Sequence, residues 1–104
     1  MTQEQEMWGV ISLCEGTLAA LLTKHPRERV SGTGKITNLE EQSAWHEDCT
    51  TLTQRINSAK EGMVRDAKIT EDSGKEFHHW STVDGLTSTF SYASQLDHKY
   101  NLEH

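Results

Sequence analysis

His46 and Cys49 stand one helical turn apart, and so do Glu76 and His79. Imidazole, thiolate and carboxylate are ligands for zinc or iron, and an i, i+3 spacing puts both members of each pair on one helix face. Together they form a four-ligand set for a metal- or small-ligand-binding bundle. The surrounding sequence argues against it. A carboxylate-bridged di-iron site takes two E-x-x-H elements and two further glutamates from four helices, and only one such element is present. A structural zinc site takes paired cysteines at short spacing, whereas Cys14 and Cys49 are isolated. Cys49 also falls in an apolar series, where a small buried thiol is sufficient explanation. The expectation is therefore no metal and no cofactor.

The stretch "SGTGKIT", Ser31 to Thr37, has the composition of a phosphate-binding loop. Such a loop needs G-x-x-x-x-G-K followed at once by Ser or Thr, between a strand and a helix. Here Ile36 follows Gly34-Lys35, and Arg29 stands where the first glycine belongs. The stretch reads instead as a connection whose glycines supply positive φ. Its charge is of more interest. Lys24, His25, Arg27, Arg29 and Lys35 face only Glu28 in this segment, a basic patch in an acidic chain. Arg27, Arg29 and Lys35 are candidate contacts for an acidic partner, and His78, His79 and Trp80 form a second candidate contact cluster. Nucleophilic catalysis needs converging groups and a polarising pocket, and no Ser–His–Asp or Cys–His signature is recognisable. The chain is expected not to be an enzyme.

The elements that must position these residues follow from length and pattern. A chain of 104 residues fits one small domain, taken as residues 1–101, with Leu102-Glu103-His104 read as the remnant of an expression tag. The formal net charge of −6 argues against binding to nucleic acid or to an anionic membrane. No apolar run is long enough to span a membrane, and no secretory leader is read ahead of the first helix. Two isolated cysteines then suit a reducing cytoplasm.

Three capping signatures each precede an apolar series: Thr2 with Gln5, Asn38 with Glu41, and Ser73 with Glu76. The first predicts a helix from Gln3 to Lys24, carrying Met7, Val10, Ile11, Cys14, Leu18, Leu21 and Leu22, widened by Trp8 and Leu13, and stopped by Pro26. The second predicts a helix from Leu39 to Lys68. Trp45, Cys49, Leu52, Ile56, Ala59 and Met63 alternate there by four and three, the pattern of a helix packed along its length. Gly62 is its weak point.

The third segment admits two readings. From Lys75 to Tyr100 the residues Phe77, Trp80, Val83, Leu86, Phe90, Ala93, Leu96 and Tyr100 recur at helical spacing. The same residues also alternate as two strands around Asp84-Gly85, a favoured hairpin turn, with His79 opposite Phe90 and Phe77 opposite Tyr92. A lone hairpin is marginal in water, so the helix is preferred. The expected fold is mainly α, a three-helix up-down-up antiparallel bundle, with two long helices plus a C-terminal β-hairpin as the alternative. The expected function is that of a non-catalytic interaction or regulatory protein that binds a protein partner or itself.

Overall fold

The computed structural model describes residues 3–28, 39–73 and 80–102, with side chains described at 4–23, 40, 42–68 and 82–102. They form three helices, α1 (Gln3–Glu28), α2 (Leu39–Ser73) and α3 (Trp80–Tyr100), and each packs against the other two. The described residues contain no strand. Asp84 and Gly85 lie inside α3, so the hairpin does not form there.

A four-three alternation of buried positions runs down all three helices. On α1 it comprises Met7, Ile11, Cys14 and Leu21, with Leu18 partly buried. On α2 it is the series expected from the sequence, Trp45 through Met63, and it continues to a buried Asp66. On α3 it is Thr82, Leu86, Thr89, Ala93, Leu96 and Tyr100. Such a stripe keeps one face of each helix turned toward a common axis. Leu21, Leu52 and Met63 are fully buried, and burying a side chain of that size contributes roughly 1.5–3 kcal/mol. Trp45 is buried too, and its indole Nε1 donates to the carbonyl of Leu21 at 3.0 Å, giving a polar atom in the core its partner.

Cross-helix contacts run in a consistent order. From Trp45 to Lys60 on α2, the partner on α1 moves back from Leu21 to Glu15. From Asp48 to Asp66 on α2, the partner on α3 moves back from Tyr100 to Thr82.

The ends of the helices differ from expectation. α1 continues to Glu28 and passes through Pro26 instead of stopping there. Proline forfeits one ladder bond, but its fixed φ is helical, and in a last turn the loss is confined to a single carbonyl. α2 runs on to Ser73, which therefore ends one helix rather than capping the next. No glycine or proline interrupts the chain between Met63 and Ser73.

At the end of α3 the amide of Leu102 bonds to Asp97 O at 3.0 Å and that of Asn101 to His98 O at 3.4 Å, with Asn101 at φ 57°. These are the paired bonds of a Schellman cap, with asparagine in the left-handed position. Leu102 folds back from it into the core, 8% exposed.

Four apolar expectations fail. Phe90 and Leu13 are not core residues; they are 45% and 61% exposed. Leu22 (49%) and Trp8 (37%) are also exposed. On α3 the seam takes Thr89 instead of Phe90, since only one of two adjacent positions can lie on it. On α1 Leu13 stands next to the seam residue Cys14 and turns outward for the same reason.

Candidate functional site

Most residues singled out from the sequence lie outside the described residues. Arg29, Lys35, Glu76, His78 and His79 do so entirely, as do the side chains of Arg27 and Trp80, whose backbones belong to α1 and α3. His46 and Cys49 are described, and α2 separates them: His46 is exposed with its ring 4.5 Å from that of Trp45, while Cys49 is buried. Among the described residues no group of three or more His, Cys, Asp or Glu side chains is placed to hold a metal ion.

The structure brings other residues together. Between α1 and α3 a groove of about 340 Å³ is lined by Leu13, Gly16, Thr17, Phe90, Ala93 and Asp97. The helix stretches on both sides of it are poor in charge. From Met7 to Thr23 the only charged residue is Glu15, and from Gly85 to Leu96 there is none. Glu15 is taken up by Lys60 of α2 at 2.7 Å. Exposed Leu13 and Phe90 thus stand among serines, threonines, alanines and glycines. A Cβ added at Gly9 or Gly16 would meet nothing within 4 Å, so the outer side of α1 is open.

Between α2 and α3 a second groove of about 490 Å³ has a different lining. Arg55 and Arg65 supply charge, and Thr51, Gln54, Ser58 and Ser88 supply hydroxyl and amide groups. Among the described residues no acid lines it. Arg55 is held in place: its Nη1 donates to Ser88 Oγ at 2.9 Å and Ser88 O at 3.4 Å, and its guanidinium lies 4.5 Å from the centre of the Tyr92 ring.

One end of the α2–α3 seam is closed by a node on Asp48. Its Oδ1 accepts from the Tyr92 hydroxyl at 3.1 Å, and its Oδ2 accepts from the Tyr100 hydroxyl at 2.8 Å and from Lys99 Nζ at 2.9 Å. Burial alone would raise the Asp48 carboxyl, but the donations from Lys99, Tyr100 and Tyr92 outweigh it and hold it below its ordinary value. Both phenols are pushed up, first by burial and then by the carboxylate they serve. Asp48 stays charged and the tyrosines stay neutral across the working range, so the node is a fixed strut rather than an acid–base pair. Burial and Asp48 also push the neighbouring Cys49 thiol up to about 11, and burial raises Cys14, next to Glu15. Neither thiol is poised as a nucleophile.

The sequence carries one sign of the α1–α3 face: a stretch with a single charge, Met7 to Thr23, and one with none, Gly85 to Leu96, in a chain otherwise rich in charge. The α2–α3 groove had no such sign, because Arg55 and Ser88 meet across 33 positions. No family model, curated protein or solved structure matches the chain.

Proposed function

We propose that this chain is a non-catalytic interaction module, an up-down-up antiparallel three-helix bundle that pairs with a second copy of itself through the α1–α3 face. The reversed order of partners along both helix pairs supports the up-down-up path. The observation that carries the pairing is Leu13 and Phe90, 61% and 45% exposed, on a face poor in charge, where Glu15 pairs with Lys60 and Asp97 also lines the groove. Interface centres are depleted in charge and rich in aromatic and apolar groups.

A second copy is the occupant that the charge pattern favours. Two chains of net charge −6 repel, and they can approach closely only where neither presents acids. An isologous contact places the same patch on both partners, so a patch poor in charge is self-complementary where a strongly charged one is not. Gly16 and its small neighbours let backbones come close, and α1 and α3 of each copy would form a four-helix contact. From residue 9 to 23 the face is about 22 Å long at 1.5 Å per residue. It therefore offers roughly 500 Å² a side, below the ~800 Å² of a standard interface, and the dimer is weak and concentration-dependent. The non-catalytic part of the reading rests on the sequence patterns alone. Two buried free thiols, Cys14 and Cys49, support a reducing, cytoplasmic location, and among the described residues no helix is long and apolar enough to cross a membrane.

Sedimentation equilibrium over a wide concentration range tests the pairing. The mass should climb toward twice the monomer's with a dissociation constant of roughly 10–100 μM, little changed by salt. Leu13→Glu with Phe90→Glu should stay monomeric at unchanged helix content. A wild-type chain that stays monomeric at the highest concentration, or a double variant that still pairs, overturns the proposal.

A further inference from the structure

We propose that the α2–α3 groove is a binding site for a small phosphate ester with a hydroxyl-bearing body, with Arg55 as the phosphate contact. This site is separate from the proposed pairing face and does not depend on it.

The lining decides the ligand's charge. In a chain with six more acids than Lys and Arg, a groove that carries two arginines and no carboxylate selects for an anion. Its volume of about 490 Å³ falls within the few hundred Å³ of ordinary small-molecule sites. Its floor is low because Gly62 of α2 and Gly85 of α3 both line it without side chains. Gly62 is closely approached there: a Cβ would sit 3.1 Å from Thr82 Oγ1.

Arg55 is prepared for the phosphate. Both of its bonds to Ser88 leave from Nη1, so Nε and Nη2 remain as donors in the planar fork that matches phosphate oxygens. The Tyr92 ring beneath the guanidinium fixes its plane, so less side-chain freedom is lost on binding. Arg65 lies ten residues further along α2, about 15 Å by helix rise. Its Nε is already 3.5 Å from Asp66 Oδ1, and its side chain is 65% exposed. It closes the far end of the groove and adds long-range attraction rather than the main contact. Around Arg55 the walls are Thr51, Gln54 and Ser58 on α2 and Ser88 and Thr89 on α3. Hydroxyls and an amide in that number pair with a polyol body and discriminate against a bare hydrocarbon one.

Amide and arginine-side-chain NMR titrations at constant ionic strength test this, with inorganic phosphate, glycerol phosphate and glycerol as probes and sodium chloride as the control. Saturable shifts are expected at Gly62, Gly85, Ser88 and Arg55 Nε with both phosphates. Glycerol phosphate should bind more tightly than inorganic phosphate, and glycerol and chloride should give no saturation. Arg55→Gln should weaken glycerol phosphate at least tenfold. Arg65→Gln, at a surface position that tolerates change, should weaken it several-fold with helix content preserved. Phosphate shifts that do not saturate, that chloride reproduces, or that persist unweakened in both variants would overturn the proposal. Inorganic phosphate binding as tightly as the ester would overturn the assignment of the hydroxyl-lined walls.

Discussion

The hydroxyl of Thr82 on α3 donates to the carboxylate of Asp66 on α2, and both residues are buried, at 5% and 3% exposure. Each occupies a seam position that an apolar residue fills elsewhere, so the bond is a polar layer in a mostly apolar stripe. Such a layer disfavours shifted registers of α2 against α3, because sliding either helix by a turn parts the hydroxyl from the carboxylate.

That arrangement predicts an asymmetry between single and paired substitutions. Thr82→Val keeps the shape but withdraws a donor from a buried carboxylate, and should cost about 1–3 kcal/mol. Adding Asp66→Leu to Thr82→Val replaces the layer with apolar groups and should recover part of that loss. Urea denaturation of the wild type, Thr82→Val and the double variant measures it. A double variant less stable than Thr82→Val alone would mean that the polar layer is a net source of stability.

The same hydroxyl separates two glycines that look alike in the sequence. Both Gly62 and Gly85 lie inside helices, where alanine is better by about 0.5–1 kcal/mol. A Cβ at Gly85 meets nothing within 4 Å, so Gly85→Ala should gain that amount. A Cβ at Gly62 meets Thr82 Oγ1 at 3.1 Å, so this hydroxyl, bonded to Asp66, must give by a few tenths of an ångström. Gly62→Ala should be neutral or destabilising. Equal gains at the two sites in thermal denaturation would show that α3 yields freely at Thr82.

How much of this was legible depends on chemistry more than on distance along the chain. The α2 stripe from Trp45 to Met63 could be read directly, because every member is apolar and the alternation admits one register. The α3 stripe could not. Its seam uses Thr82 and Thr89, which favour strands by propensity, and the large neighbour Phe90 offers a rival register one step away. Thr89 is tolerated there because its hydroxyl donates to Gly85 O at 2.7 Å, an arrangement invisible to residue type. Asp66 was hidden for a similar reason: an acid on a core stripe reads as a surface residue until Thr82 is seen beside it. Arg55 was legible as an outward charge on α2, but the groove it lines depends on which face of α3 arrives opposite, and no local pattern encodes that.

The Asp48 node gives the fold a dependence on pH that two chromophores report, since Tyr92 and Tyr100 are the chain's only tyrosines and both donate to that carboxylate. Asp48 is depressed in the folded state, so its contribution is present above the unfolded value of about 3.9 and is lost as pH falls through the folded value. The phenols are raised, so theirs is present below about 10 and is lost as pH climbs through their folded values. Stability should therefore be flat across neutrality and decline at both extremes. Tyrosinate absorbance should show both phenols titrating above 10 in the native chain. Asp48→Asn should lower both midpoints without returning them to the ordinary value, because burial is the larger cause and survives the substitution. It should also cost about 1–2 kcal/mol, as an amide still accepts from a phenol but no longer pairs with Lys99. Midpoints unmoved by Asp48→Asn would mean that burial alone sets them and that the carboxylate does not hold the end of α3 against α2.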